Sequence, residues 1–173
     1  WSPSDLLLPR NFLIVEWHSE SRFLQTIIKR FYPMYQWIHI IAAGWDTVQQ
    51  ERSMNAINKI YCPLVVWSSA IYKWKIVVLC DKAHTDNQSD YKWFIRSYDL
   101  TDSEDIFTLP VSSLEEYYHW KWKKTSEEVK ELDRTRSKVS YAQSVAEQIT
   151  QSDFESSMSI LHQTLEKVHK RSF

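Results

Sequence analysis

Two stretches of the chain carry residue types that do chemistry at a usable spacing. The first is His119-Trp120-Lys121-Trp122-Lys123-Lys124, where lysines interleave with large aromatic rings. Ammonium groups neutralise phosphates and indole rings stack on bases, so Trp120, Lys121, Trp122, Lys123 and Lys124 form a candidate contact with nucleic acid. On a helix, Trp120 and Lys124 share one face and Trp122 lies on another. The same pattern therefore also suits tryptophans facing a core, with lysine stems snorkelling past them to water. The second stretch is Cys80-Asp81-Lys82-Ala83-His84, at the end of an apolar run. His84 near Asp81 can orient a base, yet spacing places no nucleophile beside it. Ser68 and Ser69 lack the glycine-flanked elbow of hydrolases. The six histidines form no His-Glu-x-x-His, and the cysteines form no Cys-x-x-Cys, so no metal site is expected. His162 and His169 are seven residues apart, on one helix face.

Glycine excludes more chemistry than any motif suggests. The chain has a single glycine, Gly44. A phosphate-binding loop needs two and a dinucleotide fingerprint three, because only a backbone without Cβ approaches a phosphate closely. Neither can be built here. No cofactor and no catalytic residue is expected, and the chain reads as a non-enzyme.

Charge is balanced, with 21 Lys+Arg against 22 Asp+Glu and a net charge of −1. No global basic field advertises nucleic acid, so any DNA contact is local and weak. Cys62 and Cys80 lie in apolar strand-like runs and read as buried thiols of a reducing compartment. No apolar run approaches the ~20 residues of a membrane span, and no basic-then-apolar leader opens the chain. It starts at Trp1 and is expected to be a trimmed piece of a longer protein. The nine tryptophans suit an aromatic core, or a binding surface such as a cage for a methylated lysine. Of these, Trp17, Trp37, Trp67 and Trp74 are expected to pack beside sheet strands.

The elements that must position these residues follow from periodicity. Phe12–Trp17 is a nearly continuous apolar run, the length of a strand buried on both faces. Phe23, Leu24, Ile27, Ile28 and Phe31 recur at helical spacing and predict an amphipathic helix ended by Pro33. Trp37–Ala43 predicts a second buried strand, Gly44 a turn, and Asp46 with Gln49 a capping box opening a helix to about residue 61. Leu64–Trp67, Trp74–Cys80 and Ile106–Leu109 predict further strands, and residues 92–98 a strand or short helix. This order is that of an α/β fold with a mainly parallel sheet. Ser112-Ser113-Leu114-Glu115 predicts a helix through about Lys124. Beyond it lie two or three long helices, broken near 150–153 with Asp153 as N-cap. The second of these carries Phe154, Met158, Leu161, Leu165 and Val168 at gaps of four, three, four and three, an a/d stripe. That stripe is the candidate partner-binding surface, for another protein or a second copy in a homodimer. Folding back on Val129, Leu132, Val139, Ala142, Ala146 and Ile149 is the intramolecular alternative.

Cys80-Asp-Lys-Ala-His84 resembles the Asp-Glu-Ala-His motif of superfamily 2 helicases, with Lys82 in the glutamate position. In that family the Asp helps hold Mg²⁺ and the Glu polarises the attacking water; a lysine can do neither. The strand and helix from Phe12, the Tyr32-Pro33 passage into Trp37–Ile40 and Gly44, and Leu64–Ser68 resemble a RecA-like lobe of the SWI/SNF type. A second alignment makes Phe12–Phe31 the opening of the C-terminal lobe and Ile106–Glu116 its closing strand and helix start. A degenerate lobe followed by long helices is similar to the non-catalytic helicase-like subunits of yeast histone deacetylase complexes, and to the coiled-coil subunit of fission-yeast shelterin. The resemblance implies a RecA-like lobe over 10–111 and a helical or coiled-coil extension over 112–173. It implies a scaffold or adaptor of a nuclear, chromatin-silencing or telomere-associated complex, without ATPase activity. The rival expectation is a nucleic-acid-binding remnant of a helicase.

Overall fold

The computed structural model describes residues 11–42, 76–82, 101 and 104–171. The expectations for Gly44, Asp46, Cys62, Leu64–Trp67, Ser68, Ser69, Trp74, His84 and residues 92–98 lie outside the described residues.

Among the described residues four strands form one parallel sheet: β1 (Asn11–Val15), β2 (Ile38–Ala42), β3 (Ile76–Cys80) and β4 (Ile106–Thr108), in the order β2-β1-β3-β4. Asn11 pairs with Ile38 and Val15 with Ala42; on the other side of β1, Phe12 pairs with Ile76. Every residue of β1 and β3 is buried, as near-continuous branched runs in a parallel sheet require. β2 differs from its expected character. It alternates, with Ile38 and Ile40 buried and His39 exposed. Trp37 lies just outside it and is 61% exposed, so it is no core residue.

Helix α1 (His18–Phe31) returns the chain from β1 to β2 and buries Phe23, Leu24, Ile27 and Ile28. Glu20 in its first turn and Lys29 and Arg30 in its last complement its dipole. Tyr32 caps it, and Pro33–Tyr35 is a single 3-10 turn.

The C-terminal third is five helices: α2 (Leu114–Tyr117), α3 (Ser126–Arg134), α4 (Lys138–Gln148), α5 (Gln151–Ser157) and α6 (Ser159–Lys170). α4 packs on α1, and α6 crosses β1, β3 and β4. Leu13, Val15, Ile38, Ile40, Val77 and Leu79 from the sheet share one core with Phe23, Leu24 and Ile27 from α1 and with residues 142–168. A boundary at 111/112 would cut through that core, so the helices are a layer of the α/β unit rather than a coiled-coil extension. Polar ties reinforce the seam. Asn11 Nδ2 donates to the Val168 carbonyl at 2.6 Å, Arg171 to the Ile76 carbonyl at 2.6 Å, and Arg30 to the Ile149 carbonyl at 3.0 Å.

The break between α4 and α5 falls at Ile149–Thr150, and the N-cap is Thr150, whose hydroxyl accepts from the Asp153 amide at 3.1 Å. Asp153 is the acid at the third helical position, in the first turn, and not the cap. The turn between α3 and α4 shows what a chain with one glycine does where glycine is favoured. Ser137 N–H donates to the Leu132 carbonyl at 2.9 Å and Arg136 N–H to the Asp133 carbonyl at 3.0 Å, the paired bonds of a Schellman ending. The left-handed residue in it is Arg136, at φ 53°. A side chain with Cβ costs about 1 kcal/mol there. Arg136→Gly is therefore expected to stabilise the protein by up to about 1 kcal/mol, read as a higher urea midpoint at unchanged slope. A lower midpoint would show that the arginine side chain contributes more than its backbone strain removes.

Candidate functional site

In an open parallel sheet, sites form beyond the carboxyl ends of strands, where neighbouring strands lead the chain in opposite directions. Here that point lies between β1 and β3, with β2 on one flank and β4 on the other. The residues arriving there are Glu16 and Trp17 after β1, and Asp81 and Lys82 after β3. Glu16, Glu20 and Asp81 are all buried. Asp81 N–H donates to Glu16 Oε2 at 3.2 Å, which stitches the two strand ends together. Glu20, one turn into α1, reaches back: its Oε2 accepts from the Glu16 amide at 2.8 Å and the Trp17 amide at 3.0 Å.

Those two amides belong to the loop between strand and helix, where a phosphate-binding fold would cradle its ligand. Here the protein's own carboxyl takes them. Burial pushes the Glu20 carboxyl up to about 8, and the neighbouring Glu16 and Asp81 push in the same direction against the lowering effect of the two amide bonds. A phosphate would meet an occupied seat ringed by acidic groups.

α2 and α4 close the mouth from the other side. Glu115 is buried, with Lys138 Nζ 3.9 Å from its Oε2; burial raises its pKa and Lys138 opposes the rise. Its other oxygen has no hydrogen-bond partner, nor has the buried Tyr118 hydroxyl. Burial raises the Tyr118 pKa well above its usual value, and Glu115, Tyr141 and Glu20 add to the effect. Lys138 Nζ also sits 5.4 Å over the Trp17 ring and 3.0 Å from Asp133. Among the described residues, no group of three or more His, Cys, Asp or Glu side chains is arranged to hold a metal ion. No described helix is long and apolar enough to cross a membrane.

The predicted site residues fall elsewhere. Phe154, Met158, Leu161, Leu165 and Val168 are each 0% exposed. Their stripe is split between α5 and α6 by Met158, whose backbone leaves the helical region at φ −118°, ψ 42°. The surface covering them is this chain's own sheet and α1, with the Phe154 ring 6.2 Å from those of Phe23 and Tyr32. They are core, and this corrects the expectation of an outward docking face or homotypic coiled coil. His162 and His169 flank the stripe and stack on Tyr32 and Tyr35, at 5.7 Å and 4.3 Å.

The basic–aromatic cluster is not helical. α2 ends at Tyr117, and residues 118–125 form a turn. The turn lets Tyr118 reach the core, 5.2 Å from Phe23, and half-buries Trp122 against it, while Trp120 is left outside. Lys121 and Lys123 are exposed; Lys124 pairs with Glu128 at 2.8 Å. The structure thus brings Trp120, Lys121, Trp122, Lys123 and Lys124 together on one turn, which the Lys124 N–H ties to the Glu115 carbonyl at 2.9 Å.

Sequence reasoning missed Glu16, Glu20, Glu115 and Tyr118. The available signal was a glutamate directly after a buried strand and another at the third helical position, the geometry of a carboxyl folding back on the preceding amides. Comparison of the chain with protein-family models, with curated proteins and with solved structures gives no match, so the reading of its function rests on the strand order and on the chemistry of this mouth.

Proposed function

We propose that the chain is a non-catalytic scaffold or adaptor built on a degenerate helicase-like lobe, acting in a nuclear complex of the chromatin-silencing or telomere-associated kind. The observation that carries the reading is Glu20: its carboxyl holds the two loop amides after β1, at the point where a nucleotide-binding relative would hold phosphate. Buried Glu16 and Asp81 beside it and Lys82 at the position of a water-activating glutamate support the same conclusion. Histone deacetylase complexes and shelterin are the assemblies that the resemblance suggests.

Two measurements test the proposal. Fluorescent ATP with Mg²⁺ is expected to show no saturable binding to the chain and no turnover above background. Turnover that disappears in Asp81→Ala would overturn the proposal. Affinity purification of the full-length protein from nuclei, followed by mass spectrometry, is expected to return a fixed set of nuclear subunits in constant proportion. Recovery of the protein alone would count against an adaptor. The exposed Trp120 beside Lys121 and Lys123 favours a second reading, a nucleic-acid-binding remnant. Affinity for DNA falling steeply with added salt would distinguish it from a scaffold.

A further inference from the structure

Trp120 is 79% exposed, on a turn otherwise fixed in place. Trp122 N–H and Lys123 N–H both donate to the His119 carbonyl, at 2.8 and 3.1 Å, and Lys124 N–H donates to the Glu115 carbonyl at 2.9 Å. The Tyr141 hydroxyl donates to the Trp122 carbonyl at 2.6 Å, which anchors the turn to α4. The His119 ring stands 5.4 Å from that of Trp120 and 5.7 Å from that of Trp122, with its Nε2 3.9 Å from Asp153. Water meets a large apolar ring that the backbone cannot retract. Rigid presentation of a tryptophan lowers the ordering cost of binding, and tryptophan is the residue most enriched among interface anchors.

The charges around it are uneven. Lys121 lies 4.9 Å over the Trp122 ring, and neither it nor Lys123 meets a carboxylate among the described residues. The nearby carboxylates are engaged: Glu128 with Lys124 and the Thr125 amide, Glu116 with the Ser126 hydroxyl at 2.6 Å and the Ser112 amide at 3.3 Å, and Asp153 facing His119. Glu127, exposed in the first turn of α3, bounds the patch. One anchor ring and two ammonium groups with no carboxylate partner among the described residues make a small basic, aromatic knob.

We propose that the turn His119–Lys124 docks a short acidic peptide of a partner protein, with Trp120 seated among its apolar side chains and Lys121 and Lys123 on its carboxylates. The proposal rests on the adaptor reading for the existence of a partner, and names the surface and the chemistry that such a partner uses. A peptide fits better than nucleic acid. A strand of nucleic acid needs successive stacking platforms along a continuous basic groove, and here a single ring is exposed and the acidic first turn of α3 follows directly.

Fluorescence anisotropy on the intact chain tests it, with three labelled probes: a peptide of Glu, Asp, Leu and Phe, the same peptide with lysine at the acidic positions, and oligothymidylate. The acidic peptide is expected to bind saturably, and the lysine peptide not to bind. Trp120→Ala is expected to weaken binding about tenfold or more. Lys121→Glu with Lys123→Glu should abolish it, and added salt should reduce it. Trp120→Phe should retain part of the affinity, which separates loss of the ring from loss of the fold. Failure of the acidic peptide to bind overturns the proposal, as does binding of oligothymidylate alone. Failure of peptide binding while membership of a nuclear complex persists would sink only this inference; intact peptide binding without any complex would sink only the adaptor reading.

Discussion

Replacing Leu161 and Leu165 together by glutamate should unfold the entire chain, sheet included. Both side chains are fully buried, in the core that also holds Leu13, Val77 and Leu79. Truncating one buried leucine to alanine costs about 2–5 kcal/mol. Glutamate adds the cost of a carboxyl placed among apolar groups with no partner, a further few kcal/mol each. Whole domains of this size are stable by only about 5–15 kcal/mol, so two such changes exceed what the fold can lose. Far-UV circular dichroism and hydrogen exchange of the β1 and β3 amides provide the measurement. Protected strand amides in a variant whose C-terminal helices have melted would show two independent units and refute a single core. The single variant Leu165→Ala, expected to fold with a loss in the same 2–5 kcal/mol range, keeps the comparison quantitative.

This expectation reverses the most direct reading of the C-terminal sequence, and the reason is physical. Gaps of four, three, four and three establish that one face of the segment is apolar and must be covered. They carry no information about what covers it. In the structure α4 covers α1 and α6 lies across the sheet. β1, α1 and β3 were legible because a buried parallel strand and an amphipathic helix each leave a strong local pattern. β2 was legible as a strand, but not in its exposure: Trp37 and His39 face outward although their neighbours are apolar. The helix expected through Lys124 fails after one turn. The backbone leaves helical values at Tyr118, φ −55°, ψ 155°, and the chain goes on as a turn that carries Tyr118 to the core and half-buries Trp122. That same departure creates the exposed Trp120. The mouth was the least legible part. Glu20 sits at a polar position of an amphipathic helix, and only the approach of β3 and α2 turns it into a buried acid beside Glu16 and Asp81.

Buried acids leave a signature in the pH dependence of stability, and Glu20 should dominate it. Its carboxyl titrates near 8 in the folded chain, against an ordinary value of 4.5. Between those values the folded state holds one proton more than the unfolded state, so raising the pH draws the equilibrium toward unfolding. The stabilising contribution of neutral Glu20 is complete below about pH 4.5, falls by up to about 1.4 kcal/mol per pH unit above it, and is exhausted above about pH 8. Glu115 is shifted in the same direction by its burial, with Lys138 opposing. Glu16 and Asp81 face Glu20 from the two strand ends, and Tyr118 feels its charge from the end of α2. Glu20→Gln keeps a carbonyl to accept from the Glu16 and Trp17 amides and removes the proton. Urea unfolding is expected to show the variant close to wild type at about pH 5, and more stable by a few kcal/mol at about pH 9, with a flatter profile between. Parallel profiles for the two proteins would mean that Glu20 is ionised throughout. The argument for a seat filled by a neutral internal acid would then fall.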